Sequence, residues 1–311
     1  MRKAPVAALA LVLLASAAPA QRAAAPFTVE ESGRGFATLQ EAVDAIGEGA
    51  GTVAIAPGTY RMCAVQNAGS VRYTAREPGT VIFDGVACNG KAALVLSGRE
   101  ARIEGLTFQN IAVPDRNGAA IRLQAGNLLV RESLFRDSEQ GILSHDDPAS
   151  SIRIEQSTFS GLGQCLPDVD CSHGLYIGNY GSLTVLRSRF ERGRGGHYVK
   201  TRSPRVEVTD SSFDDSEGRA TNYMIDLSNG ATGTIARNVF VQGRNKENYS
   251  AMIFVGPEAQ SNRSEGLTVA DNEATLAPGA NATTFVVDRS GEALRIDRNR
   301  LGPQIARFAR R

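Results

Sequence analysis

The chain has 311 residues, of which 32 are glycine and none tryptophan, with 42% hydrophobic residues and a formal net charge of +1. That length can bury a large core, but this composition, with few long helical patterns, suits many short strands and tight turns in one elongated domain. The near-neutral charge offers no global steering toward nucleic acid, and no nucleotide motif or glycine-rich phosphate loop accompanies it.

Arg2 and Lys3 precede an apolar run from Pro5 to Ala17 and the small-residue triplet Ala18-Pro19-Ala20. This is the pattern of a secretory signal peptide, residues 1–20, cut after Ala20. Its loss removes both cations and takes the formal charge from +1 to −1. No later run is long enough to span a bilayer, so the mature chain, 21–311, is expected in the periplasm or secreted, without a membrane span and as a monomer. A short helix is expected over 38–46, with Thr38 as N-cap, Glu41 completing a capping box and Gly47 as the stop. The strand Val53-Ala54-Ile55-Ala56 then runs into the turn Pro57-Gly58. Cys63 and Cys88 lie 25 residues apart, close to one coil of the repeat described next, so they are expected to pair across adjacent rungs. Cys165 and Cys171 are expected to staple the insertion Gly163 to Ser172, with an oxidising compartment permitting both bridges.

From Phe108 onward a short phrase recurs, a polar pair leading to a large apolar residue: Glu132-Ser133-Leu134-Phe135, Gln156-Ser157-Thr158-Phe159, Arg187-Ser188-Arg189-Phe190, Asp210-Ser211-Ser212-Phe213, Arg237-Asn238-Val239-Phe240, Asp271-Asn272-Glu273-Ala274 and Arg298-Asn299-Arg300-Leu301. The intervals between the final positions are 27, 24, 31, 23, 27, 34 and 27 residues. A period in that range means a solenoid, and units of short Val, Ile, Leu, Phe and Thr runs separated by Gly, Asn, Asp and Ser make each coil one of strands. The fold expected is all-β, a single-stranded parallel β-helix of eight to ten coils from about Val53 to Leu301, its open end covered by the helix at 38–46. Asn238 and Asn299 are expected to stack as a ladder at a corner.

The opening Phe36-Ala37-Thr38-Leu39-Gln40-Glu41-Ala42-Val43-Asp44-Ala45, followed by Ile55-Ala56-Pro57-Gly58-Thr59-Tyr60, resembles that of the pectin lyase-like superfamily of right-handed parallel β-helix proteins. The resemblance covers nearly the whole mature chain through the repeat. It implies a right-handed coil and carbohydrate as the partner class, and it leaves the reaction open among lyases, esterases, hydrolases, epimerases and members without known activity.

Aligning the strand after each phrase places Ile121, Ile142, Leu175, Val199, Ile225 and Ile253 in one aliphatic, core-facing column. Strand alternation then turns the next column outward, with Tyr176, Lys200 and Asp226 on consecutive rungs and Tyr198 and Arg202 on the same face. Two positions before the core residue, His173, His197 and Tyr223 form a third column, at an adjacent corner or pointing inward. All three histidines of the chain, His145, His173 and His197, fall near these strands. From Arg187 to Arg205 there are seven Arg or Lys and one acid, Glu191, a strip suited to an anionic polymer. This combination resembles that of uncharacterised bacterial β-helix proteins.

A β-elimination needs a cation on the uronate carboxylate, a base for the C5 proton and an acid for the leaving oxygen. Lys200, Arg202, Tyr176 and His197 are the catalytic candidates, and His173, Tyr198, Tyr223, Asp226 and His145 the substrate-binding ones. Arg202 would clamp the carboxylate. Lys200 serves as base only if its charge is suppressed, and Asp226 beside it argues the reverse, leaving His197 or Tyr176. The same ladder also reads as a solvated, salt-bridged surface. His145-Asp146-Asp147 has metal-ligand residue types but reads more simply as a turn, so no metal or cofactor is expected. The expected function is that of a lyase or epimerase on an acidic polysaccharide, with a non-catalytic polysaccharide-binding scaffold as the alternative. A hydrolase fits least, since this face offers only Asp226 as a carboxylate.

Overall fold

The computed structural model describes residues 25–167 and 169–311, together with Met1 and Ala4. Apart from those two residues, the expected signal peptide lies outside the described residues. The chain winds as a β-solenoid whose coils each contribute a strand to three sheets, one of twelve strands and two of ten. Pairing within these three sheets is parallel except at the start, where Phe27–Val29 runs antiparallel to both Arg34–Phe36 and Ala50–Ile55, and the insertion adds a small antiparallel pair, Gln164–Leu166 with Val169–Ser172.

Each recurring phrase builds one corner and one core layer. Its first residue takes the left-handed conformation, with φ from 46° to 57° at Glu132, Gln156, Arg187, Asp210, Arg237, Asp271 and Arg298. A single residue of this kind turns the chain sharply from the first sheet into the second, and strain so placed persists only where the surroundings impose it. The turn carries the next backbone N–H out of the ladder, so the serine or asparagine side chain one coil on must accept it. Ser133 N donates to Ser157 Oγ at 3.2 Å, Ser157 N to Ser188 Oγ at 3.3 Å and Ser188 N to Ser211 Oγ at 3.0 Å. Ser211 N then donates to Asn238 Oδ1 at 2.9 Å, Asn238 N to Asn272 Oδ1 and Asn272 N to Asn299 Oδ1, both at 3.0 Å. Left without an acceptor, each such buried N–H would cost about 1–3 kcal/mol. The expected asparagine ladder is therefore the second half of a longer serine and asparagine one.

The last residue of the phrase points inward. Phe83, Phe108, Phe135, Phe159, Phe190, Phe213 and Phe240 stack with ring centroids 4.6 to 5.5 Å apart. All are at most 1% exposed, so each buries a whole aromatic face against both neighbouring coils. Where the phrase ends in Ala274 the column is short of volume, and Phe285 enters edge-on at 5.5 Å from Phe240.

The helix Leu39–Ile46 has Thr38 as N-cap, Glu41 closing the capping box and Gly47 at its end, and it buries Leu39, Ala42 and Val43 against the first coil. The solenoid extends beyond both expected limits. It begins at Ala50 under the antiparallel hairpin, and it ends with the strand Ile305–Arg310 rather than at Leu301. That last strand is guarded by Arg307 and Arg310, cations that discourage a further chain from pairing with the open edge. Cys63–Cys88 and Cys165–Cys171 are both disulfides, with Cα separations of 5.5 and 4.3 Å. Their sulfurs are thus not available as thiolate ligands, although Glu247 lies close to the second pair.

Candidate functional site

The third sheet carries the site. Its register pairs Ile142 with Leu175, Leu175 with Val199, Val199 with Ile225 and Ile225 with Ile253, the aliphatic column expected from alignment. Alternation then turns Leu143, Tyr176, Lys200, Asp226 and Phe254 to the outside of the coil, in register on consecutive rungs. Over these five rungs the charge lies between apolar Leu143 and Phe254, which are 5% and 2% exposed, and Arg122 precedes Leu143 in the same column.

Outside the coil does not mean exposed. Lys200 is 7% and Asp226 2% exposed, because the segment after the strand Ile253–Val255 folds back over them. Glu258, on that segment, is anchored by its backbone N–H to Ser228 O at 3.0 Å. Its carboxylate bridges the two cations, meeting Lys200 Nζ through one oxygen and Arg202 Nη2 through the other, the latter at 2.6 Å. Arg202 Nη1 donates to Tyr176 Oη at 2.8 Å, and its guanidinium stacks 5.1 Å from the Tyr176 ring centre. Burial alone would push the Lys200 ammonium down, but Asp226 and Glu258 outweigh it and hold it above its ordinary value. The balance favours the Lys200 ammonium. Glu258, disfavoured as an anion by burial, is nonetheless held low by the two cations.

The histidine column stacks on the same side. Ring centres of His173 and His197 are 4.9 Å apart, and Tyr223 continues the stack 5.3 Å beyond His197. Burial first, then the neighbouring cations, lower His173 to about 3. Burial likewise holds His197 well below its ordinary value, so both rings are neutral. Hydrogen bonds tie the two rings together. His173 Nδ1 accepts from the His197 backbone N–H at 3.0 Å and so carries a lone pair. His197 Nδ1 lies 3.2 Å from that same atom, and the contact is a hydrogen bond only if His197 Nδ1 bears its proton. His197 Nε2 lies 3.2 Å from Asp226 Oδ2, so the other ring nitrogen meets the buried carboxyl. Burial raises Asp226 to about 6, against the pull of Lys200 in the other direction. Lys200 Nζ lies 3.4 Å from the same Asp226 oxygen, so the two cations, Lys200 and Arg202, face two carboxyl groups, Asp226 and Glu258.

Residues 84–277 match the family model described as a right handed beta helix region, more than half of the chain. The chain belongs to this family. No curated protein matches it. Among solved structures, this right-handed β-helix protein is similar to ORF18 of Geobacillus virus E2, at 14% identity and a TM-score of 0.48, over 88% of this chain and 57% of that one. It is also similar to the Streptococcus pneumoniae surface protein and adhesin PfbA, at 11% identity and a TM-score of 0.39, over 88% of this chain and 94% of that one.

In this β-helix protein Tyr176, Lys200, Arg202, Asp226, His173, His197 and Tyr223 form one connected group. Two expected members stand apart from it. Tyr198 precedes its strand, which begins at Val199, so alternation does not govern it. It turns to the corner, where its Oη donates to Asp215 Oδ1 at 2.7 Å and accepts from Gly193 N at 3.0 Å. His145 is exposed just past the strand Gln140–Ser144, and its neighbours serve a turn, Asp147 Oδ2 accepting from Gly126 N at 2.8 Å. The expectation of a solvated ladder also needs correction. Removal of Lys200 strands the buried Asp226, and disruption of such a buried pair costs about 3–5 kcal/mol rather than the small amount expected of an exposed strand position. Alignment missed Glu258, which lies in an irregular segment; the only signal was an acid placed just after the Gly256-Pro257 break that follows the Ile253–Val255 strand.

Proposed function

We propose that this protein is an exported carbohydrate-active β-helix protein that takes an acidic polysaccharide along the outside of the third sheet and moves the proton next to a uronate carboxylate. The observation that carries the reading is the convergence of Lys200 and Arg202 on one carboxylate, that of Glu258, beside Tyr176 Oη. Glu258 stands where the carboxylate of a uronate would stand. Its displacement would leave the substrate carboxylate clamped by both cations, which stabilises the negative charge that develops when C5 loses its proton. Lys200 is held protonated, and His173 and His197 are buried and hydrogen-bonded to each other, so Tyr176 is the accessible group for proton transfer. In elimination, Tyr176 acts as the phenolate facing Arg202: its Oη takes the C5 proton, the C–H electrons form the C4=C5 bond, the C4–O bond breaks, and the Tyr176 hydroxyl returns that proton to the leaving oxygen. In epimerisation the same carbanion is reprotonated from the opposite face.

A non-catalytic, polysaccharide-binding role is favoured by one specific observation, the closure of Glu258 over Lys200. The two readings separate on a panel of alginate, pectate, glycosaminoglycans and bacterial exopolysaccharides. Ultraviolet absorbance detects unsaturated products, and proton exchange with deuterated water detects epimerisation. Arg202→Ala and Tyr176→Phe should each lower turnover by about two orders of magnitude. Absence of turnover on the whole panel, with binding that Arg202→Ala weakens, would leave the binding role alone.

A further inference from the structure

Round the corner from this site, the turns between the second and third sheets form a groove of about 440 Å³ whose walls include Arg192, Arg194, Arg219 and Arg244. Parallel bridges pair Gly196 with Thr221 and Thr221 with Lys246. Arg194, Arg219 and Arg244 each lie two residues earlier, so they occupy the same place on three successive coils. The backbone bond from Arg219 N to Gly193 O at 2.8 Å fits that register. Three arginines thus recur along the axis at the rung spacing of about 4.8 Å, the first with its Nη2 donating to Ser138 O at 3.1 Å. Like charges set opposite one another on neighbouring strands are destabilising, and the groove supplies only Asp137 and Glu217 against them, Glu217 at 3.7 Å from Arg192.

The floor is built to hold that arrangement. Lys246 Nζ and Asp215 Oδ2 form an ion pair at 3.0 Å with both side chains wholly buried, and Thr221 and Tyr198 also donate to Asp215. This network ties together the turns that carry Arg219 and Arg244. A Cβ on Gly218, in the groove wall, would fall 1.9 Å from Asp215 Oδ1, so the close approach of that turn to the network requires glycine.

We propose that this groove binds an extended acidic polysaccharide, one bearing carboxylates or sulfates, as an anchoring site separate from the Tyr176, Lys200 and Arg202 cluster. Guanidiniums repeated along the axis match a polymer that presents one anionic group per sugar residue, and each can engage it through two N–H groups. No aromatic side chain lines the groove, which disfavours single-stranded nucleic acid, whose bases need a stacking platform. The proposal shares with the functional reading only the class of polymer.

The test measures binding of the full exported chain to polygalacturonate, alginate and heparin over a range of salt. The triple variant Arg194→Ala, Arg219→Ala, Arg244→Ala should bind about a hundredfold more weakly, roughly fivefold for each cation removed, with a flatter salt dependence. It should melt no lower than the wild type, since it relieves a stack of like charges. A control lacking Arg72, Arg102 and Arg153 on the first sheet should bind as the wild type does. Preference among the three polymers distinguishes carboxylate from sulfate. Undiminished binding by the triple variant overturns the proposal, and equal preference for single-stranded DNA overturns the choice of polysaccharide. Loss of binding in Arg202→Ala with none in the triple variant would defeat this groove and leave the functional reading standing; the reverse would defeat the other site.

Discussion

His173 shows how one buried side chain can make the whole fold sensitive to pH. Its folded-state value is lowered to about 3 from an ordinary 6.5, by burial and then by Lys200 and Arg202. Between those values the unfolded chain binds a proton that the folded chain refuses. Its contribution to stability is therefore complete above pH 6.5 and is lost as the pH falls. His197 has the same sign. Asp226, raised to about 6 from 3.8, has the opposite one, because the folded chain takes that proton first and regains stability as the pH falls from 6 toward 3.8. Two histidines outweigh one carboxyl, so the protein should lose stability on acidification below pH 6.5. His173→Phe removes one of the two titrations and should flatten the decline between pH 6.5 and 5 by up to roughly 1.4 kcal/mol per pH unit. Thermal melts at a series of pH values check this, and an unchanged slope in the variant would refute it.

At the scale of the element, the recurring phrase is a corner, a ladder and a core layer compressed into four residues. The three parts have separable costs. Phe190→Ala opens a cavity between Phe159 and Phe213, its stacked neighbours at 4.9 Å on either side, and should destabilise by about 3–5 kcal/mol. Ser188→Ala removes the acceptor for Ser157 N and should cost about 1–3 kcal/mol. Ser188→Asn should recover most of that loss, because asparagine performs the same task at positions 238, 272 and 299. Urea unfolding of the three variants measures all of these, and equal destabilisation by Ala and Asn at position 188 would rule out the ladder as the reason for the polar residue.

Over the whole molecule, the two disulfides fit an oxidising compartment outside the cytoplasm, and no helix among the described residues is long and apolar enough to cross a membrane. Cys63–Cys88 closes 25 residues and joins adjacent coils near the N-terminal end, whereas Cys165–Cys171 closes 6 within an insertion. Chain entropy gives the longer loop about 3.5 kcal/mol and the shorter about 2. Intact mass without reduction should be four hydrogens below that of the reduced chain, and the Cys63→Ala, Cys88→Ala variant should melt lower than the Cys165→Ala, Cys171→Ala variant. The reverse order would place the weak point of the solenoid at the insertion instead of at the end coil.

The sequence alone determined the coil, the helical cap, both cysteine pairs and the rungs on which Tyr176, Lys200 and Asp226 stand, while the three strands of each coil came from the structure. It could do so because a solenoid is nearly one-dimensional: each coil contacts only its neighbours, and a period in the chain becomes a register in space. Tertiary structure decided what that reasoning cannot reach. Alternation places Lys200 outside the coil, but only the irregular segment bearing Glu258 buries it and fixes its charge. Tyr198 left the expected face because alternation begins only with the strand at Val199. Arg194, Arg219 and Arg244 lie in turns with no apolar alternation to align them, so their common groove emerged only once the bridges through Gly196, Thr221 and Lys246 set them in one column.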